Sequence, residues 1–262
     1  MNPFTADQER ALTDLLEVWP ARRAVLVGAS ALSCYIEMRW RKTEDLDLTV
    51  SSTVEEYPAV LASLRGWRHD PRQEQRWYAP GDVRVDIVPA GPTPARTREI
   101  TWPQSGMRMS LVGLKLAFEN NEPVPLRSGG EFPVATVPVV AVLKMGAYCD
   151  RSAERGRDLA DLAYILAEYA ENDLDRWFSP DVLALRLDSE DVGAYLLGRD
   201  IAGTVDTDER RLVDSFLEIA TQEDHPTATL VRLAQAGPRG LRDDLDAVLR
   251  RLRAFAQGFG RV

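Results

Sequence analysis

The chain has 262 residues, of which 45% are hydrophobic and 28% are charged, as is typical of a soluble globular protein of one or two domains. Its formal net charge of −9 argues against broad binding of DNA or RNA, because proteins of that class usually carry a basic surface. The longest mostly apolar stretch, residues 132–145, is too short to cross a membrane, and the N-terminus has no basic and apolar targeting pattern, so we expect a cytoplasmic protein.

Predicted helices and strands alternate over the first 50 residues. Residues 3–19 carry a helical stripe of leucine and tryptophan, which ends at Pro20. The apolar run at residues 24–27 predicts a buried strand, and Gly28-Ala29-Ser30 then predicts a tight turn that another group can approach closely. Residues 31–39 have apolar side chains at helical spacing. Residues 45–50 alternate between polar and apolar side chains, which predicts a half-buried strand.

The rest of the chain predicts more strands as far as residue 137 and helices after it. We predict a helix at 54–65, strands at 67–69, 75–78 and 83–88, an irregular loop at 89–94, a mixed segment at 96–119 with a helix at 113–118, and a hairpin at 123–126 and 131–137. Further helices are predicted at 139–148, 158–169, 189–197, 208–220 and 240–259. The fold class is therefore α+β, with a mixed sheet and flanking helices in residues 1–130 and a helical domain in residues 131–262.

Three aspartates on two predicted strands point to a cation site. Asp45 and Asp47 are two residues apart on a strand, so their side chains project from the same face. Neighbouring carboxylates repel each other unless a cation lies between them, and hard divalent cations prefer carboxylate oxygen. Asp86 lies on the polar face of the alternating strand at residues 83–88. If the two strands are neighbours, all three carboxylates converge on one spot.

Four motifs occur in order along the chain. They are Gly28-Ala29-Ser30, Asp45-x-Asp47, Asp86, and a pair of helical motifs formed by Lys144 with Arg151 and by Arg157-Asp158 with Asp161. This ordered set resembles the DNA polymerase β-type nucleotidyltransferase superfamily, and in particular its branch of AbiEii-like abortive-infection proteins. The resemblance covers roughly residues 20–170, and the alanine between Gly28 and Ser30 is a departure from the usual phosphate-binding motif.

The resemblance implies a role for each of these residues. It implies a catalytic domain at residues 1–130, with the helical domain completing the nucleotide site. The implied catalytic set is Asp45, Asp47, Asp86, Lys144 and Asp158. The implied metal ligands, for two Mg²⁺ ions or for Mn²⁺, are Asp45, Asp47 and Asp86. The implied nucleotide-binding set is Gly28, Ala29, Ser30, Lys144 and Arg151, and Asp161 is expected to orient Arg151 or Arg157 or to pair with one of them. Lys144 lies in an apolar helical run, where a lysine either reaches solvent or meets an anion. Arg151 is seven residues on, along the same predicted helix face, so the two cations suit a triphosphate.

The function implied is an Mg²⁺-dependent nucleotidyltransferase that moves an NMP from an NTP to an acceptor hydroxyl and releases pyrophosphate. The AbiEii-like branch further implies a toxin that acts on tRNA or other RNA and has a separate antitoxin partner. The alternatives are transfer to a small molecule such as an antibiotic, and a non-catalytic module that only binds NTP. Three basic clusters lie at residues 39–42, at residues 65–76 together with Trp67 and Trp77, and at residues 250–253. Basic residues with aromatic residues between them are either binding surfaces for a nucleic acid or a triphosphate, or solvated surface arginines.

Overall fold

The computed structural model describes residues 3–20, 23–38, 43, 45–221, 227–236 and 244–261. The chain divides into two compact units, Met1–Val140 and Ala141–Val262. None of the helices in the described part of the chain is long and apolar enough to cross a membrane. The basic cluster at residues 39–42 lies outside the described residues.

The first unit combines strands with short helices. Its strands are β1 (Ala24–Val27), β2 (Leu46–Val50), β3 (Arg68–His69), β4 (Arg76–Ala79), β5 (Val83–Pro89), β6 (Glu99–Thr101), β7 (Arg108–Ser110), β8 (Asn121–Pro125) and β9 (Glu131–Ala135). Its helices are α1 (Ala6–Val18), α2 (Gly28–Leu32), α3 (Tyr57–Ala62) and α4 (Leu114–Glu119), and α5 (Val137–Asp150) begins in this unit. Helix α1 starts with a capping box, in which Thr5 and Gln8 each bond the backbone N–H of the other.

A seven-stranded mixed sheet organises the first unit, in the order β3-β4-β5-β2-β1-β9-β8. The pairs β2–β5 and β1–β9 are parallel, whereas the pairs β1–β2, β3–β4, β4–β5 and β8–β9 are antiparallel. This arrangement confirms the predicted α+β class with a mixed sheet. Strands β6 and β7 form a separate hairpin.

Strand β5 shows why the sheet has one apolar and one polar face. Val83, Val85 and Ile87 are buried, while the residues between them are half-buried. Because successive side chains of a strand point to opposite faces, this alternation places one set in the core and leaves the other set available for chemistry. The half-buried residues Arg84, Asp86 and Val88 therefore lie on the face opposite Val85.

The second unit contains only helices among its described residues. After α5 come α6 (Gly156–Glu168), α7 (Leu174–Trp177), α8 (Pro180–Ala184), α9 (Ser189–Ala202), α10 (Thr207–Thr221), α11 (Ala228–Ala236) and α12 (Leu245–Gly258). Its core includes an edge-to-face contact between Tyr148 and Phe216, and the Tyr148 hydroxyl lies 2.8 Å from the Thr229 hydroxyl. A helical C-terminal half was predicted, although α7, α8 and α11 were not.

Two features of the fold differ from the sequence prediction. The division between the units follows Val140, so β9 belongs to the sheet and not to the helical half that was expected from residue 131. Helix α2 begins at Gly28 and ends at Leu32, whereas a tight turn was predicted at residues 28–30 and a helix at residues 31–39, of which residue 39 lies outside the described residues. The side chains of Ser33 and Cys34 both donate to the Ser30 carbonyl, and this local competition for the backbone acceptor favours turns over a longer helix.

Candidate active site

The start of helix α2, directly after β1, packs against Asp47 and holds it in place. Gly28 has a φ of +67°, and a Cβ atom added to it would lie only 2.4 Å from Oδ2 of Asp47. Only glycine tolerates both this left-handed conformation and this close approach. The backbone N–H of Asp47 donates to the Ser30 hydroxyl at 3.3 Å, and that hydroxyl donates to the Val27 carbonyl at 3.2 Å. Ser30 is buried, so its hydroxyl supports Asp47 from within the protein. Its predicted contact with phosphate stays a prediction.

Asp45, Asp47 and Asp86 share the polar face of the sheet, and we call these three residues the carboxylate face. Strands β2 and β5 are neighbours, as convergence of the carboxylates requires, and Asp47 is directly opposite Asp86 in their parallel register. Asp45 lies two residues before Asp47 and immediately precedes β2. The backbone therefore brings together the three aspartates that the sequence singled out.

Arg76 holds the carboxylate of Asp86. It lies opposite Asp86 in the antiparallel register of β4 and β5. Its Nε donates to Oδ1 at 2.8 Å and its Nη2 donates to Oδ2 at 2.8 Å, which is the bidentate geometry of a strong charge-assisted pair. The exposed fractions of the two side chains are 18% and 20%. This hydrogen bonding to Asp86 is the main reason why the pKa of Arg76 is raised.

Arg84 holds Asp45 in a second ion pair on the same face. The Nη2 atom of Arg84 contacts Oδ2 of Asp45, and the two side chains are 39% and 27% exposed. The Nε atom of Arg84 is buried and makes no hydrogen bond within the described part of the chain. From the sequence, Arg76 was only one member of the basic cluster at residues 65–76, and no role was predicted for Arg84. The alternation of residues 83–88 does place Arg84 on the same face as Asp86, so the position of Arg84 could have been predicted from the sequence, whereas that of Arg76 could not.

The carboxylate face has the donor chemistry of a divalent cation site, although arginines now hold part of it. Mg²⁺ is commonly bound by one or two carboxylates together with the phosphates of a nucleotide. Among the described residues, no group of three or more Asp, Glu, His or Cys side chains is arranged to hold a metal ion. Since Arg76 and Arg84 hold two of the three carboxylates, binding of a cation there requires these pairs to open or to share their oxygens.

In the second unit, Lys144 forms a buried cluster with two aspartates of α6. Its Nζ lies 3.0 Å from Oδ1 of Asp158 and 2.6 Å from Oδ2 of Asp161. The side chains of Lys144, Asp158 and Asp161 are 6%, 16% and 0% exposed. The aspartates meet one ammonium group because they lie three residues apart on one helix face. We name this set the lysine cluster. The structure gives Lys144 as a partner of Asp161, whereas Arg151 or Arg157 had been expected.

Arg151 has a different environment from Lys144. Helix α5 ends at Asp150, so Arg151 lies just beyond it and is exposed, whereas Lys144 is buried. The two cations were predicted to lie along one helix face for a triphosphate. Their different burial follows from the end of the helix, which the spacing of seven residues did not reveal. Their roles toward a nucleotide remain predictions.

Arginines of two of the basic clusters pair with carboxylates of the protein itself. Trp67 and Trp77, which had been considered as aromatic neighbours of a basic binding surface, are buried. Arg68 pairs with Asp82 at 2.7 Å, just as Arg76 pairs with Asp86. In the last cluster, Arg251 is buried and donates to the Glu190 carbonyl, and Arg250 lies 3.5 Å from carboxylate oxygens of Asp188 and Asp191. Arg65, Arg68 and Arg72 are exposed, so the role of residues 65–76 as a binding surface stays a prediction.

Comparisons with known proteins give a family and two weak structural similarities. The model of the family of nucleotidyl transferase AbiEii toxins, of type IV toxin–antitoxin systems, matches residues 10–251. A protein of H. pylori that is provisionally assigned as a nucleotidyltransferase is 14% identical, with 97% of this chain and 95% of that chain covered at a TM-score of 0.38. MenT4, a nucleotidyltransferase toxin of Mycobacterium tuberculosis H37Rv, is 15% identical, with 98% and 85% covered at a TM-score of 0.37. No curated protein matches.

Proposed function

Because this chain belongs to the AbiEii nucleotidyltransferase toxin family, we propose that it transfers an NMP from an NTP to an acceptor hydroxyl at the carboxylate face. The observation that carries the proposal is the register of β2 and β5, which sets Asp47 directly opposite Asp86. Acidic residues are poor strand formers, and two carboxylates side by side repel each other. Such a pair needs positive charge beside it: Arg76 supplies it at Asp86 in the ligand-free protein, and a nucleotide that carries Mg²⁺ would supply it in the reaction.

The reaction forms one bond and breaks another at the α-phosphorus atom. The acceptor hydroxyl oxygen bonds to this phosphorus, the bond from phosphorus to the oxygen that bridges the α- and β-phosphates breaks, and pyrophosphate leaves. Asp45 and Asp47 would hold the cation that accompanies the triphosphate. Asp86 would complete the site and accept the proton of the attacking hydroxyl. When bound, Mg²⁺ supplies stabilisation of the negative charge on the phosphate oxygens.

The start of helix α2 contributes to our proposal as a supporting part. Gly28 and Ser30 fix Asp47, and the backbone from Gly28 to Ser30 would face the phosphates. The roles that the resemblance implies for Lys144, Asp158 and Arg151 toward a nucleotide stay predictions.

The acceptor we propose is RNA. The family is one of toxins of type IV toxin–antitoxin systems, and a toxin that transfers nucleotides must modify a component of the cell. The net charge of −9 restricts RNA binding to a limited surface. A separate antitoxin is the partner that this family description supports. A small-molecule acceptor is the competing outcome of the experiment below.

The experiment is a transfer assay with the purified full-length chain. The protein is incubated with Mg²⁺, total bacterial RNA and each of the four α-labelled NTPs in turn. We expect label to move into RNA with at least one NTP, and we expect Asp47→Asn to abolish the transfer. Asp82→Asn is the matched control, because Asp82 is also an aspartate of the sheet region but is exposed, pairs with Arg68 and lies outside the carboxylate face.

The outcomes separate the rival functions. Transfer to RNA that persists in Asp47→Asn contradicts the assignment of the site, and so does transfer that is lost equally in Asp47→Asn and Asp82→Asn. Saturable NTP binding with no transfer to RNA excludes RNA as the acceptor and directs the search to small molecules. Binding that never leads to transfer, with any acceptor, identifies a nucleotide-binding module. Growth arrest on expression that is relieved by Asp47→Asn supports the toxin function independently.

A further inference from the structure

Carboxylates and arginines lie side by side on the polar face of the sheet. One row crosses β2, β5 and β4 and contains Asp47, Asp86 and Arg76, which are neighbours in the strand register. Beside it, Asp45 pairs with Arg84 of β5. Each arginine is therefore the immediate neighbour of a carboxylate that we assign to the nucleotide site. The positive charges that neighbour these carboxylates are therefore the guanidinium groups of Arg76 and Arg84.

The Arg76–Asp86 pair occupies the oxygens that a divalent cation would use. The fork of Arg76 takes both carboxylate oxygens of Asp86, and about four-fifths of each side chain is removed from solvent. A pair that is this well shielded is more persistent than an exposed surface pair. A divalent cation at Asp86 and the positive guanidinium also repel each other at this distance. Cation and arginine therefore compete for one carboxylate.

Arg76 has a second carboxylate within reach of its charge. Asp70, at the end of β3, interacts favourably with Arg76 and accepts a hydrogen bond from Tyr78 at 3.1 Å. The backbone N–H of Asp70 also donates to the Arg76 carbonyl at 2.9 Å, which keeps the two residues together. When Arg76 releases Asp86, its guanidinium can turn toward Asp70 or toward a phosphate without being left uncompensated.

On the basis of the function proposed above, we propose that Arg76 and Arg84 are built-in counter-cations that close the carboxylate face in the ligand-free protein. The cation that accompanies the nucleotide displaces them from Asp86 and Asp45, and the released guanidinium groups then face the triphosphate. Both are positioning residues, since they act through the carboxylates that they hold. Their strength as competitors sets the cation concentration at which the site fills.

The test is direct binding of Mn²⁺ to the full-length chain without nucleotide, followed by the EPR signal of free Mn²⁺. Removal of the competing charge in Arg76→Gln should tighten Mn²⁺ binding by about tenfold. Arg84→Gln should give a smaller gain, because the Arg84–Asp45 pair is more exposed. Arg76→Lys keeps the charge but loses the fork, and its affinity should lie between those of the wild type and Arg76→Gln.

Arg108→Gln is the matched control. Arg108 binds Glu99 through Nε at 2.8 Å and Nη2 at 2.7 Å, the same bidentate geometry, in the separate β6–β7 hairpin. Its loss should leave Mn²⁺ affinity unchanged. The double variant Arg76→Gln with Asp86→Asn should lose the gain of Arg76→Gln, because the effect passes through the Asp86 carboxylate. If Arg76→Gln folds poorly, Mn²⁺ should raise its melting temperature more than that of the wild type.

The outcomes distinguish this inference from the function on which it rests. Mn²⁺ affinity in Arg76→Gln that equals or falls below that of the wild type overturns the inference, as does a failure of every variant to bind Mn²⁺. If Asp47-dependent transfer is nevertheless seen in the wild type, the proposed function stands and only the role of the arginines is wrong. If Asp47→Asn transfers nucleotide as the wild type does, the proposed function fails, whatever the Mn²⁺ affinities are.

Discussion

Gly28→Ala tests whether Asp47 packs against Gly28, and two separate effects should lower the stability of this variant. The first cost is the left-handed conformation at φ +67°, which is about 1–2 kcal/mol for a residue other than glycine. The second is the contact of the new Cβ with Asp47, at 2.4 Å from Oδ2 and 2.9 Å from its Cβ. Because the Cβ of Asp47 cannot leave by a change of rotamer, the backbone of β2 has to shift. Overpacking of this kind costs about 1–3 kcal/mol more.

Gly106→Ala isolates the first cost. Gly106 has a φ of +66°, and a Cβ atom added there would meet nothing within 4 Å. Unfolding in urea should therefore show a larger loss of stability in Gly28→Ala than in Gly106→Ala, by about 1–3 kcal/mol. Nucleotide transfer should fall by about 100-fold in Gly28→Ala, since a shift of about 1 Å at a reacting group has effects of that size, and should be unchanged in Gly106→Ala.

Equal losses of stability in the two alanine variants would refute this reasoning, because they would show that Asp47 does not rest on Gly28. A large difference in stability with no difference in transfer would have another meaning. It would show that Asp47 packs against Gly28 but that its carboxylate has no role in the reaction.

Three further predictions concern other parts of the chain. Lys144→Met should destabilise the protein by about 3–5 kcal/mol in urea unfolding, because it removes the ammonium group that two largely buried carboxylates contact, and adding Asp161→Asn should recover part of the loss. Burial raises the pKa of Glu74, but hydrogen bonds from Gln104 and Ser105 outweigh this effect and lower the pKa below the ordinary 4.5. The resulting stabilisation is present above pH 4.5 and is lost as the pH falls through the folded pKa. Glu74→Gln should therefore flatten the acid side of a curve of stability against pH and lower the stability at neutral pH. Burial raises the pKa of Cys34 to about 12 and that of Cys149 to about 11, so at pH 8 both thiols should react slowly with DTNB until urea is added.

The alternation of polar and apolar residues predicted the positions of the aspartates but not their partners. Period-two patterns at residues 45–50 and 83–88 correctly placed Asp47 and Asp86 on polar faces, since the pattern reports burial directly. The pairing of Arg76 with Asp86 depends on the register between β4 and β5, and that register is set by the turn that joins them. A change of one residue in the turn would have moved Arg76 to the other face.

Local composition was misleading where tertiary packing decides the outcome. Trp77 was considered part of a surface cluster because arginines precede it, yet it alternates with Arg76 and Tyr78 on β4 and points into the core. Lys144 lies in an apolar helix, and the sequence allowed either an exposed end or an anion as its solution. The anions that it found lie 14 and 17 residues further along the chain, on α6, and only the packing of two helices could reveal them.

Charge compensation links the stability of this fold to its proposed chemistry. In the first unit, arginines of the sheet neutralise carboxylates that would otherwise repel each other, so the polar face can fold without a ligand. On the function proposed above, a nucleotide that brings its own cation would replace one positive partner of Asp45 and Asp86 with another, and the arginines would then be released. We therefore propose that the ion pairs that hold the ligand-free sheet together also select the cation-bound nucleotide.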